Sequence, residues 1–147
     1  MYEDIHRNPI ESQNTINMIG ESIISKERHL HFFQWLIDHV QISELSPIPS
    51  LSLSQAKQVI TILEYVRDEE LEHAILLRNI YYRLTGTYPP LYEGFFYPPK
   101  NLTAGLENAF MENLESIEKY RLIMNDLSST SDRDTISLIM FNYTTPF

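Results

Sequence analysis

The stretch VRDEELEHAILLRNIYYRLTG, residues 66–86, decides how the rest of the chain is read. It has no proline, and its one glycine comes last. Leu63, Leu77 and Leu84 fall on one line of a helix, with Val66 and Ile80 beside it. That spacing predicts an amphipathic helix over 53–85. Glu70 lies on the same line, seven residues from Leu63 and from Leu77, so a carboxylate is expected inside an apolar face. His73 follows three residues later. Residues three apart share a helix face, so Glu70 and His73 could reach one metal ion, or could pack as a polar pair. Ser52 and Gln55 read as a capping box that opens this helix, and Gly86 as the residue that closes it.

Working outward, a first helix is expected over 13–40. Ile16, Ile19, Ile23, Leu30, Phe33, Ile37 and Val40 alternate at steps of three and four, and Lys26 sits in the single gap. A third helix over 102–127 repeats the rhythm with Leu106, Phe110, Ile117, Tyr120, Met124 and Leu127, and its gap is Asn113. A short fourth helix over 131–143 is apolar on most sides after Thr135 and is expected to be largely buried. Helices two and three are joined by TYPPLYEGFFYPPKN, 87–101, whose two Pro-Pro pairs exclude a helix. Extended at ~3.1 Å per residue it could reach roughly 45 Å, enough to traverse a helix of ~40 Å. The expectation is an all-α fold: one domain over 1–147, a ferritin-like four-helix bundle with a long Pro/aromatic crossover and a short fourth helix.

Composition narrows the function. The chain has 147 residues, 43% hydrophobic, with net charge −9, enough for one buried core. No basic cluster is present, so nucleic acid and anionic membrane surfaces are expected to be repelled. No apolar run approaches the ~20 residues a spanning helix needs, and the N-terminus lacks an apolar signal core, so a cytoplasmic protein is expected. Cysteine is absent, which excludes disulfides, thiolate metal sites and a cysteine nucleophile. No phosphate loop or dinucleotide fingerprint occurs.

The stretches HFFQWLI (31–37), RDEELEHAILLRNIYYRLTG (67–86), EKYR (118–121) and FNY (141–143) resemble the ferritin-like superfamily. Within it the chain is most similar to rubrerythrin-like small ferritin-like proteins of spore-forming bacilli. The resemblance covers nearly the whole chain and implies expression in a sporulating cell. It also implies a di-iron or di-manganese carboxylate site acting on oxygen or peroxide. Helices one and three would each give a Glu seven residues before an aromatic, and helices two and four would each give Glu-x-x-His. Two divalent ions bring four positive charges, which about four carboxylates neutralise inside the bundle.

Carried over by position, that pattern is broken. Glu70 and His73 fit, and Asp134 stands as a shortened acid. Lys26, Asn113 and Ser137 replace the other ligands. A protonated lysine only donates and cannot ligate. The site is therefore read as degenerate, with no catalytic residue and no cofactor. A buried Lys26–Glu70 pair is expected in place of the metals, with Asp134 and a hydrogen-bonded Asn113 nearby. In an alternative register, sliding helix one by a residue turns Glu27 inward. Glu112 and Glu115 would then join Glu70, His73 and Asp134 around iron or manganese. That slide also turns Arg28, His31 and Gln34 to the core and breaks the apolar seam. The other histidines are poor candidates for a site: His29 and His31 sit two apart and point to different helix faces, and His6 and His39 lie near helix ends, where solvated or capping roles are commoner. The short fourth helix and the aromatic linker point to a structural or interaction protein, with a homodimer as the partner arrangement.

Overall fold

A computed structural model describes residues 12–40, 52–89, 94 and 96–144, without the side chains of 102 and 142–144. The proline-bearing connector 41–51 and residues 91–93 and 95 of the aromatic run lie outside the described residues. Among the described residues the protein is all helical: α1 Gln13–Val40, α2 Leu53–Thr85, α3 Leu102–Asp126 and α4 Thr130–Thr144. These bounds match the sequence expectation to within a residue.

The helix ends follow from local chemistry. The hydroxyls of Ser12 and Ser129 accept from Thr15 N and Asp132 N. Asn101 Oδ1 accepts from Ala104 N at 2.8 Å. Ser52 and Gln55 form the full reciprocal capping box. Gly86 takes φ 77° and donates its N–H to Tyr82 O, a left-handed ending that a side chain would strain.

α1 is the central element. Thr15, Ile19, Ser22, Lys26, His29, Phe33, Leu36 and Val40 are all buried, in strict four–three alternation. The expected apolar seam is buried at Ile19, Ile23, Phe33, Ile37 and Val40, with Lys26 in its gap, while Ile16 and Leu30 are only partly buried; the buried face is wider and takes in this second line. It holds four polar residues because α1 packs against both α2 and α3. α4 packs against α3 and α2. α1 and α4 therefore face across one diagonal of the bundle, and α2 and α3 across the other.

Two apolar clusters fill the interior. In the larger, Ile19 and Ile23 meet Leu77, Ile80, Tyr120, Ile123, Leu127, Ile136 and Ile139 from the other three helices. In the smaller, Phe32, Phe33 and Leu36 meet Leu63, Val66, Ala109 and the linker residue Phe96. α2 thus ends among the partners of Ile19, while α3 begins beside Phe32. Lys26 and His29 fall on α1 between the two clusters.

Three expectations are corrected. Leu106 and Phe110 of α3 are exposed, Phe110 at 63%. The inner stripe of α3 runs instead through Gly105, Ala109, Ser116, Tyr120 and Ile123, whose small residues let α3 approach α1. α4 is not largely buried: Ile136 and Ile139 point in, while Leu138 and Phe141 are exposed. The linker aromatics divide. Phe96 packs on Trp35 and His31, whereas Tyr88 and Tyr97 are both exposed, Tyr88 stacking on the exposed Tyr82 at 4.7 Å.

The α1–α3 approach yields a prediction. A Cβ on Gly105 would lie 2.8 Å from Pro99 Cγ and 2.9 Å from Phe32 Cε1. Neither ring atom is a free end, so overpacking should outweigh the helix-propensity gain. Gly105→Ala is expected to lose about 1–2 kcal/mol in urea unfolding. Gly20→Ala meets only Tyr81 Cε2 at 3.6 Å and should gain about 0.5–1 kcal/mol. If Gly105→Ala gained as much, the contact would not be close.

Candidate functional site

Between the apolar clusters lies a layer of charge. Lys26 is 1% exposed, and its Nζ donates to Glu70 Oε1 at 3.0 Å. It also lies 3.2 Å from His73 Nδ1. His29 Nδ1 lies 3.2 Å from Glu70 Oε2, and its Nε2 2.8 Å from Glu112 Oε1. Glu112 also faces Arg28 at 3.5 Å. His73 Nε2 faces Glu69 Oε1 at 3.4 Å. Two turns of α1, two of α2 and one carboxylate from α3 make a continuous network in which no buried charge stands alone.

The hydrogen bonds assign the protons. Lys26 can only donate, so His73 Nδ1 accepts and its Nε2–H points to Glu69. Burial and the neighbouring Lys26 charge hold His73 down at about 4, against a weaker opposing pull from Glu70. His73 is therefore neutral. His29 has a carboxylate on each ring nitrogen and donates from both. Burial opposes its charge, but the bonds to Glu112 and Glu70 outweigh it and raise its pKa. Burial would also raise Glu70, yet Lys26 and His29 bring it down to about 2. Lys26 is lowered to about 8, burial exceeding the help from Glu70. At neutral pH Lys26 is a cation and Glu70 and Glu112 are anions, and the two flanking carboxylates favour the protonated form of His29.

The resemblance implies two metal ions, and these residues do not fit them. The Glu70 oxygen and the His73 lone pair on the inner face are both engaged by an ammonium. Among the described residues no three Asp, Glu or His side chains group in a way that could hold a cation. The remaining positions fare differently. Asp134 and Ser137, expected to face the site, are exposed on α4. The inward stripe of α4 is Asp132, Ile136 and Ile139, so 134 and 137 lie off it. Asn113 is partly buried, but its Oδ1 has no hydrogen-bond partner among the described residues, against the satisfied amide expected. Of the alternative set, Glu112 does reach the layer, through His29. Glu27 is ion-paired to Arg78, and Glu115 is exposed.

Sequence reasoning missed His29, set aside because His29 and His31 sit two apart. The four–three rhythm counted from Lys26 would have found it, since His29 falls on that stripe and His31 does not. It also missed Asp132, a buried acid that pairs with Arg83 and ties the end of α2 to the start of α4. Ser129 and Asp132, three apart, were the signal for it. Comparisons with protein-family models, curated proteins and solved structures return no significant match.

Proposed function

We propose that this chain is a ferritin-like four-helix protein without two-metal chemistry, acting as a structural or interaction protein and assembling as a homodimer. The observation that carries this reading is the buried Lys26 ammonium, held between Glu70 and His73 where the resemblance asks for an acid and a cation. The charge that iron would bring is supplied by Lys26 and His29. The order of the clusters favours a crossover: segment 86–101 leaves α2 beside the partners of Ile19 and enters α3 beside Phe32. α4 has 15 residues against 33 in α2 and 25 in α3. At ~1.5 Å per residue it covers little more than half of α3. Leu106, Phe110 and Leu114 are exposed where it stops short, and a second copy would cover them. A cytoplasmic setting in a sporulating cell goes with this reading and rests on the resemblance alone.

The test is elemental analysis of protein purified from cells grown with added iron and manganese, paired with sedimentation. The expected result is a folded dimer with well under one metal ion per chain, and a monomer for Phe110→Asp. Roughly two ions per chain would restore the oxidoreductase reading. A monomeric wild type would remove the dimer.

A further inference from the structure

A cleft of about 280 Å³ opens between α1, α3 and linker residues 96–99. Phe32, Phe96 and Pro99 wall it, and Gly105 and Ala109 form the α3 side. Ala109 leaves space there that a larger side chain would fill, while Gly105 lies tight against Phe32 and Pro99. Its other end is polar. His29, buried, and Arg28, about half exposed, line it together with Glu112. An engineered apolar cavity of ~150 Å³ holds benzene. This cleft has room for one ring with a short chain.

The charges select the ligand. Glu112 is engaged by His29 at 2.8 Å, while Arg28 reaches it only at 3.5 Å. The guanidinium carries donors in a fixed fork suited to a carboxylate. His29 is balanced between Glu112 and Glu70, so the half-exposed Arg28 guanidinium is the cation at that end with donors left to offer. A ligand amine would meet that guanidinium unfavourably, and a neutral ring would leave it unused.

We propose that this cleft binds a small apolar monocarboxylate, its body between Phe32, Phe96 and Pro99 and its carboxylate on Arg28. The apolar walls contribute burial, and the guanidinium fixes the orientation, the usual division of labour in small-molecule sites. The inference goes beyond the proposed structural role and does not depend on the metal content of the charge layer.

The experiment is calorimetric titration of the full chain with 3-phenylpropionate, and with phenethylamine as the cationic counterpart. Saturable binding of 3-phenylpropionate with Kd on the order of 0.1–1 mM is expected for a ligand of this size. Phenethylamine should bind at least about tenfold more weakly. Arg28→Met removes an exposed head group, should stay folded, and is expected to weaken 3-phenylpropionate at least about tenfold. Ala109→Leu should fill the cleft and abolish the heat while helicity by circular dichroism is unchanged. No saturation by 3-phenylpropionate, equal binding of the amine, or undiminished binding to Arg28→Met would each overturn the proposal.

Discussion

Lys26→Ala should lower the melting temperature by about 10 °C or more. The variant leaves Glu70, 5% exposed, with His29 as its remaining partner among the described residues, and leaves His73 Nδ1 without the ammonium it accepts from. Breaking a buried ion pair from one side typically costs ~3–5 kcal/mol, because the other charge stays behind unsolvated. At this chain length each kcal/mol moves the midpoint by roughly 2–4 °C. Lys119 makes the comparison sharp. It pairs with Glu21 at the same 3.0 Å, but Glu21 is well exposed and water screens the pair. Lys119→Ala should cost no more than about 1 kcal/mol. Because the buried pair need not add net stability, Lys26→Met combined with Glu70→Leu should recover at least half of the single-variant loss. Equal melting temperatures for the two alanine variants would show that Lys26 is not the partner Glu70 depends on.

Stability should peak near neutral or slightly acid pH, shaped by two histidines of opposite sign. His73 is depressed to about 4 from its ordinary 6.5. Below pH 6.5 the unfolded chain gains a proton that the fold refuses until about pH 4, so stability falls as pH drops through that window. At ~1.4 kcal/mol per pH unit this amounts to at most roughly 3–4 kcal/mol. His29 is raised, so its contribution is complete below 6.5 and is lost as pH rises through its folded value. Glu70, lowered to about 2, contributes above its ordinary 4.5 and steepens the loss below that. Lys26 acts the other way at high pH. The fold sheds its proton near 8 and the unfolded chain only near 10.5, which offsets part of the His29 loss. Urea midpoints measured across pH 4–10 check these signs. His73→Gln should flatten the acid limb between 4 and 6.5, and His29→Gln the alkaline limb. An acid limb unchanged in His73→Gln would mean that His73 is not held neutral.

The two variants probe a layer that was partly legible before any coordinates. Lys26 and Glu70 each interrupt an apolar line at helical spacing, and a buried charge requires an opposite one. That requirement named the pair correctly. Asn113 was found by the same logic, but its oxygen has no partner among the described residues. Periodicity says that a residue points inward, not that a partner meets it there. Glu112 could not be ranked, since its burial depends on how close α3 comes to α1. Gly105 and the Pro99 and Phe32 rings set that distance.

The sequence by itself determined the helices and their ends, because those depend on neighbours three and four residues away. Ser and Asn caps, Gly86 and the proline clusters act within a turn, and their effect needs no tertiary partner. It also determined that a cation and an acid would be buried. Only the tertiary structure decided how wide the buried face of α1 is, that His29 bridges Glu70 and Glu112, and that Asp134 faces out while Asp132 faces in. Those outcomes turn on helix rotation and separation. A shift of one residue rotates a side chain by ~100° about the axis, and local spacing does not fix that angle when a helix packs on two neighbours at once.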